Sequence, residues 1–396
     1  MGYRRASGRV GTRNTIALIA SVNCAAHTSR QIAQHFTPER LAAFPNVDGV
    51  IALTHHLGCT TRIGGNDYRM LQRTLVGMAR HPSVGAFIFV GLGCETNQIS
   101  ALIEDERLGG NGPVPHLVIQ DTGGIRKTVA AGIELVEALL PQVNATGRSP
   151  QPISELMLAL ECGGSDGWSG ITANPLLGRV ADELVRQGGT AIISETPEVY
   201  GAEHLLTRRA ISREVGQKLV DKIKWWEDYT RKMGLEIDNN PSPGNKAGGL
   251  TTIYEKSLGA IAKGGSSPLT GVYEYAEPIT ARGFGFMDSP GYDPVSVTGK
   301  VAGGCNLVLF TTGRGSVFGF KPAPSIKIAT NSATFNRMVD DMDLNAGRIM
   351  AGESLDALAG ELLDLTIAVA SGRPSKSEAQ GVGEAEFNPW TLGGMV

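Results

Sequence analysis

The run TIALIASV at residues 15–22 decides the fold. It is short, apolar and rich in Ile and Val, and just beyond Cys24 it gives way to a helical pattern over 25–36. A short apolar run followed by a helix reads as a strand buried on both faces, which is how parallel sheets are built. Outward from it the same couplet returns. Strand 48–54 precedes helix 67–80, strand 84–91 precedes a helix from Asn97, and strand 116–120 precedes a long helix over 125–140. The polar, Pro-containing stretch NATGRSPQP at 144–152 interrupts the pattern and marks a boundary. Beyond it, strands are expected at 156–160, 191–194, 284–287, 307–310 and 326–329. Helices are expected at 176–187, 202–210, 213–232, 250–263 and 354–370, with 239–249 as a loop. This alternation predicts an α/β protein with mostly parallel sheets in two domains, 1–148 and 149–396.

Composition narrows the function class. Hydrophobic residues make up 41% and charged residues 19%, with a net charge of −3, which offers no basic footprint for a nucleic-acid backbone. The longest apolar runs fall far short of the roughly 20 residues that span a bilayer. The start, MGYRRASGR, has positive charge but no adjacent apolar core, so it does not read as a secretory signal and a cytoplasmic location is expected. Glycine is the outlier, 52 of 396 residues, more than the usual ~7%. Many glycines come in pairs beside polar residues, where tight turns or close approach to a ligand call for them. Five cysteines in such a chain point to core filling, metal binding or catalysis rather than to disulfides.

The reactive side chains gather where the expected strands end. Cys24 follows the first strand, His55 and His56 end the second with Cys59 just beyond, and Cys94-Glu95 end the third. In the second half Glu161-Cys162 and then Glu195 close successive strands, and Thr311, Thr312 and Arg314 close a later one. Ligands of open α/β sheets bind outside the carboxyl ends of strands, so one crevice would collect these groups. Cys305 opens a strand and is expected to be structural. There is no C-x-x-C pair. A site drawing thiolates, an imidazole and a carboxylate from separate loops suits iron or zinc better than magnesium, and an iron–sulfur cluster is an alternative that spacing alone does not decide. Among the histidines, His55 is the best placed. His204, beside Glu203, reads equally as a capping turn or a site edge. ECGGSDGWSGITANP at 161–175 supplies hydroxyls, amides and carboxylates ahead of a helix N-terminus that could hold an anion. SETPE at 194–198 sets two acids three apart, Lys246 lies in a Pro/Gly-rich turn, and Arg314 offers a fork for a carboxylate. Gly313-Arg-Gly315 lacks the third glycine of the dinucleotide fingerprint, since Phe318 stands there, and no P-loop is present.

At these motifs the sequence resembles the altronate/galactarate dehydratase family, sugar-acid hydro-lyases that include the large subunit of sulfolactate sulfo-lyase. The segments that carry it are GYRRASGRVGTRN at 2–14, SVNCAA at 21–26, GLGCETNQ at 91–98 and ECGGSDGWSGITANP at 161–175. They continue with SETPEVYGAEHLL at 194–206, NPSPGNKAGGLTTIYEKSLGA at 240–260, MDSPGYDPVSVTGK at 287–300 and FTTGRGS at 310–316. One departure is Gly58-Cys59-Thr60, where the family has a smaller residue after the cysteine. Family members also often carry a small β-rich domain ahead of the Gly-Tyr-Arg motif with which this chain opens; the resemblance implies that it is a separate small subunit or absent.

The resemblance further implies a Rossmann-like architecture, a homodimer, and dehydration of a sugar acid to a 2-keto-3-deoxy acid with a divalent metal, Fe²⁺ first, Mn²⁺ or an iron–sulfur cluster otherwise. Removing the weakly acidic C2 proton needs a metal or fixed donors, because a positioned acid or base alone contributes only ~10²–10⁴-fold. On this basis Cys24, Cys59, Cys94 and Cys162 are expected to form or border the metal site with His55. Glu195 or Lys246 is the expected base and His55 or Asp166 the expected acid, while Ser165, Asn174, Thr312 and Arg314 hold the substrate. Loss of sulfite from sulfolactate is the rival chemistry, and a non-catalytic sugar-acid-binding subunit the rival class.

Overall fold

The computed structural model describes residues 1–104, 108 and 114–393. A two-stranded antiparallel ribbon, β1 (Tyr3–Arg4) and β2 (Val10–Gly11), opens the chain. The run identified first in the sequence becomes β3 (Thr15–Ala20), buried at every position. With β4 (Gly49–Leu53), β5 (Val84–Gly91) and β6 (His116–Val118) it forms a four-stranded sheet in the order β4-β3-β5-β6, parallel throughout. Helices α1 (Ala26–His35), α2 (Asn66–Ala79) and α3 (Ile125–Asn144) cover it. One face of β3, Ile16, Leu18 and Ala20, packs with Ile32 of α1 and Val136 of α3. The other, Ala17 and Ile19, joins Leu71 and Leu75 of α2.

The second sheet comprises β7 (Met157–Cys162), β8 (Thr190–Ile193), β9 (Leu269–Tyr273), β10 (Gly283–Met287), β11 (Leu307–Thr312), β12 (Ser325–Ala329) and β13 (Leu344–Asn345). Its order is β13-β12-β11-β7-β8-β10-β9, again with every pairing parallel. The chain winds outward from β7 through β8, then returns to β11 and winds the other way. The carboxyl ends of β7 and β11 therefore flank the topological switch point, where doubly wound sheets bind ligands. Helices α4 (Ala173–Arg186), α5 (Arg213–Lys232), α6 (Ile253–Ala262), α7 (Asp293–Gly303) and α8 (Leu355–Ala370) accompany this sheet.

Among the features not expected from the sequence, strands β9 and β13 extend the second sheet by two, and α7 occupies a stretch given no helix. All residues of α7 from Val295 to Gly303 are buried, so tertiary burial overrides the poor helix propensity of its Val, Thr and Gly. It is the helix that ties the two sheets together. Gly77 of α2 lies so close to it that a Cβ there would sit 2.4 Å from the Ala302 carbonyl oxygen. The N-terminal ribbon adds hydrogen bonds from Thr12 Oγ1 to the Asn306 carbonyl at 2.7 Å and from Asn306 Nδ2 to the Val10 carbonyl at 3.0 Å. Among the described residues, no helix is long and apolar enough to cross a membrane.

Candidate active site

The carboxyl ends of β7 and β8 deliver a set of charged groups into the protein interior. Glu161 and Cys162 close β7, and Glu195 and Glu198 follow β8. Opposite them stand Lys256 on α6 and Lys263 just beyond it, seven residues apart and so on one helix face. Helix α7 contributes Asp293, Ser296 and Lys300 with the same face-keeping spacing.

Each anion is matched with an ammonium. Lys300 Nζ donates to Glu161 Oε2 at 2.6 Å and to the Leu160 carbonyl at 2.8 Å, and Ser296 Oγ donates to the same carboxylate oxygen at 2.7 Å. Lys263 Nζ lies 2.9 Å from Cys162 Sγ and 3.9 Å from Glu195 Oε2. Lys256 Nζ meets Glu198 Oε1 at 2.5 Å, where Asn240 Nδ2 also donates at 2.9 Å. Glu198 Oε2 is left without a hydrogen-bond partner, and so are both oxygens of Glu195. Glu195 is also held at φ 70°, in the left-handed region that costs a non-glycine residue of order 1–3 kcal/mol. Strain of this kind persists only where the surroundings enforce it. Here the Ser289 hydroxyl accepts the Glu195 amide at 3.0 Å.

These acids separate by protonation state. Burial works against ionising Glu161, but the Lys300 ammonium outweighs it and holds the carboxyl at about 2. Burial, then the charges of Glu161 and Glu198, push Glu195 well above the usual carboxylate range, which favours its protonated form. The same causes in the same order raise Asp293 to about 8. Burial also raises the Cys162 thiol, against the pull of Lys263. For Lys256 and Lys263 burial favours the neutral amine, yet the adjoining anions, Glu198 for the first and Cys162 for the second, more than reverse it. Carboxyl groups pushed apart in this way mark acid and base roles.

The Asp293 shift has a sign that can be measured. Its folded value lies above the unfolded one, so its contribution to stability is full below about pH 4 and is lost as pH rises through about 8. Asp293→Asn is expected to remove the fall in melting temperature with rising pH that this carboxyl contributes between about pH 4 and 8, read from melting curves across that range.

Beside this cluster lies a cavity of about 250 Å³ whose wall includes Cys162, Ser165, Asn174 and Lys256. Ile171 and Leu258 stand exposed at its edge, as do Trp168 and Tyr254 on the same two segments. Of the expected substrate ligands, Ser165 is buried in the cavity wall with its hydroxyl unpartnered. Asn174 is also in the wall, but its amide is consumed: Oδ1 accepts from Thr311 Oγ1 at 2.6 Å and Nδ2 donates to the Gly259 carbonyl at 2.9 Å. Thr312 is buried at the switch point with its hydroxyl accepting the Gly315 amide at 3.1 Å. Arg314 is exposed on the loop after β11, whose backbone is pinned to the β7 loop by Arg314 N donating to the Gly164 carbonyl at 2.8 Å.

Three expected roles do not survive the geometry. His55 is buried with both ring nitrogens engaged: Nε2 contacts the Ala20 carbonyl at 2.9 Å and Nδ1 accepts the Leu57 amide at 3.1 Å. Burial pushes its ring down to about 4, so it stays neutral and braces the β3 and β4 loops. Asp166 is saturated by Trp168 N, Ser169 Oγ, Thr330 Oγ1 and Asn331 Nδ2, and holds loops together. Lys246 is exposed on the short helix Pro243–Ala247. The lysines that stand against the buried acids and thiol are Lys256, Lys263 and Lys300, and of these Lys256 also lines the cavity. The seven-residue spacing of the first two was the signal that could have found them.

The four cysteines expected at one metal also divide. Cys162 is buried in the second sheet's cluster, whereas Cys24, Cys59 and Cys94 are exposed on loops of the first. Among the described residues, two trios of potential ligands have atoms within 4.8 Å of one another: Cys162, Glu195 and Glu198, and Glu161, Glu195 and Asp293. By ligand type the first trio could hold a divalent metal. By charge, Lys263 and Lys256 already stand on two of its members, so the cluster as built is matched by ammonium groups and protons.

The family model for the C-terminal part of D-galactarate/altronate dehydratase matches residues 153–395, and that for the second domain of D-galactarate dehydratase/altronate hydrolase matches residues 2–144. Altronate dehydratase of Escherichia coli (strain K12) is 39% identical over 95% of this chain and 74% of its own length. Galactarate dehydratase (L-threo-forming) of the same organism is 37% identical over 98% of this chain and 76% of its own length. The (2R)-sulfolactate sulfo-lyase subunit beta of Chromohalobacter salexigens is 32% identical over 98% of this chain and 96% of its own length. Matched through both halves by family models and by relatives of this identity, the chain belongs to the D-galactarate/altronate dehydratase family.

Proposed function

We propose that this chain is a hydro-lyase that removes water from a sugar acid of the altronate or galactarate class, giving a 2-keto-3-deoxy acid. The observation that carries the reading is Glu195, a strained, buried acid pushed toward its protonated form, with neither oxygen hydrogen-bonded, set among lysines next to a cavity. Residues 1–148 and 149–396 are taken as two domains, with this chemistry in the second.

In the proposed reaction Arg314, exposed on the loop after β11 that is pinned to the β7 loop, takes the substrate carboxylate, and Ser165 with its free hydroxyl contacts the polyol. Glu198, whose Oε1 is fixed by Lys256 and Asn240, uses the unpartnered Oε2 to take the C2 proton. Negative charge then develops on the enediolate, and the buried ammonium groups of Lys256 and Lys263 meet it. Fixed charges in a water-poor site act strongly on such a transition state and need no reorganisation. Glu195 gives its proton to the departing C3 hydroxyl, which leaves as water, and the resulting enol becomes the ketone. This reverses the role expected for Glu195 from the sequence, because burial beside Glu161 and Glu198 loads it with a proton.

The direct test incubates the purified chain with altronate, galactarate and sulfolactate and measures keto acid, pyruvate and sulfite. Keto acid from either sugar acid supports the proposal; silence on both sugar acids rejects it. Arg314→Gln is expected to raise KM by roughly 10–100-fold with kcat little changed, since a charge-assisted contact contributes about 1.5–3 kcal/mol.

A second reading rests on one observation: the match covers 96% of the sulfo-lyase subunit but 74% of the altronate dehydratase. On that reading the chain works with another subunit, docked over the exposed rim of Trp168, Ile171, Tyr254 and Leu258, and expels sulfite. Sulfite release in the same assay, with sugar acids untouched, would select it.

A further inference from the structure

The left-handed backbone of Glu195 needs a cause outside its own segment. Glycine adopts such a conformation without strain, but it has no carboxyl, so an acid at this turn must be held there by its surroundings. The hold comes from the strand next door. β8 and β10 are parallel neighbours, with Ile193 beside Phe286, so the residues that follow them, 194–196 and 288–289, leave the sheet side by side.

Three hydrogen bonds join these two short segments. Ser289 Oγ accepts the Glu195 amide at 3.0 Å, the Ser289 carbonyl accepts the Thr196 amide at 3.0 Å, and Thr196 Oγ1 donates to Asp288 Oδ1 at 2.6 Å. Thr196, Asp288 and Ser289 are all buried, so water does not compete for these bonds. Ser289 Oγ donates its own hydrogen to the Pro290 carbonyl at 3.1 Å, which leaves its lone pairs for the Glu195 amide. On the other side of the turn Ser194 Oγ lies 2.6 Å from Ser296 Oγ of α7, and the Glu198 amide closes the turn onto the Glu195 carbonyl at 2.8 Å.

Asp288 is itself fixed. Its Oδ1 accepts a second bond from Trp226 Nε1 of α5 at 2.9 Å, and Lys222 Nζ of the same helix lies 3.6 Å from Oδ2. Trp226 in turn stacks on Trp390, with ring centres 5.3 Å apart and planes 2° from parallel. The Asp288 amide donates to the Tyr273 carbonyl of β9 at 2.9 Å. Among the described residues that wall the cavity of Ser165 and Lys256, none of Thr196, Asp288 and Ser289 is found, so they act on the chemistry through Glu195.

We propose that Asp288 and Ser289, with Thr196, are positioning residues that clamp the Glu195 turn in its left-handed conformation and so aim the acid at the departing hydroxyl. The catalytic consequence rests on the dehydratase reading above; the conformational one does not. The Glu198 carboxylate lies outside the clamp, because Lys256 and Asn240 fix it. Loosening the clamp therefore impairs loss of the hydroxyl and spares removal of the C2 proton.

The test uses the full chain carrying Ser289→Ala, Thr196→Val, which keeps the shape without the hydroxyl, or Thr196→Ser, which keeps the hydroxyl. Crystal structures give the φ of residue 195, and the same proteins are assayed for keto acid and for exchange of the C2 hydrogen with solvent deuterium. Ser289→Ala and Thr196→Val are each expected to let residue 195 relax to negative φ. Their kcat should fall by roughly 5–150-fold, the population penalty of ordinary backbone strain, with KM and C2 exchange little changed. The unsubstituted chain and Thr196→Ser are expected to keep φ near 70° and most of the activity. Residue 195 still near that angle in both Ser289→Ala and Thr196→Val overturns the proposal whatever the activity. So does equal loss of C2 exchange and keto acid, or a Thr196→Ser as slow as Thr196→Val, since either marks general damage rather than a misplaced acid. Relaxed φ in the two variants of a chain that turns over neither sugar acid supports the clamp and rejects the dehydratase reading, so the two fail separately.

Discussion

Replacing Glu195 by glutamine is expected to lower kcat by ~10²–10⁴-fold, the usual contribution of a positioned general acid. Glutamine keeps the shape and can still donate a hydrogen bond, but it has no proton to give to a departing hydroxyl. KM should change little, because the substrate carboxylate is assigned to Arg314 and the polyol to Ser165. Stability should hold or rise. The native carboxyl is buried without hydrogen-bond partners beside Glu161 and Glu198, and an amide in its place removes the cost of protonating it on folding near neutral pH. Steady-state kinetics with a melting curve on the same sample checks all three. A variant with unchanged kcat would remove Glu195 from the chemistry.

Lys300→Met should be the most damaging single change to the fold. Lys300 and Glu161 are both fully buried, and the ammonium holds the Glu161 carboxylate in its ionised form. Removing one partner of such a pair leaves an uncompensated charge and costs about 3–5 kcal/mol. For a domain of this size that corresponds to a melting-temperature drop of roughly 6–20 °C. Adding Glu161→Gln should recover a large part of the loss, since replacing both partners is far cheaper than stranding one. A double-mutant cycle read by thermal melting distinguishes this from simple loss of packing, in which the second substitution would recover nothing.

The sequence was most legible where burial was uniform. Strands β3, β5 and β11 are largely apolar on both faces because helices cover both sides, and such runs announce themselves without an alternating pattern. Helix α7 did not, because Val295, Val297, Thr298 and Gly299 are weak helix formers. Without α7, Asp293 and Lys300 could not be placed. In the sequence the spacing of Lys256 and Lys263 shows only a shared helix face; the tertiary fold shows that Glu198, Glu195 and Cys162 lie against it. His55 and Asp166 fail as catalytic groups for a matching reason. Their partners, the Ala20 carbonyl for one and Thr330 with Asn331 for the other, are distant in sequence. Strand-end position located Glu195, Ser165 and Thr312 near the switch point, but it grouped Cys162 with three cysteines that lie exposed on loops of the other sheet.

The central claim is a division of labour, with Glu198 as the base at C2 and Glu195 as the acid at C3. Exchange of the substrate C2 hydrogen with solvent deuterium, followed by NMR in Glu195→Gln and Glu198→Gln, tests it directly. The account predicts that Glu195→Gln still exchanges the C2 hydrogen while forming almost no keto acid, and that Glu198→Gln does neither. Loss of exchange in Glu195→Gln together with retained exchange in Glu198→Gln would contradict it.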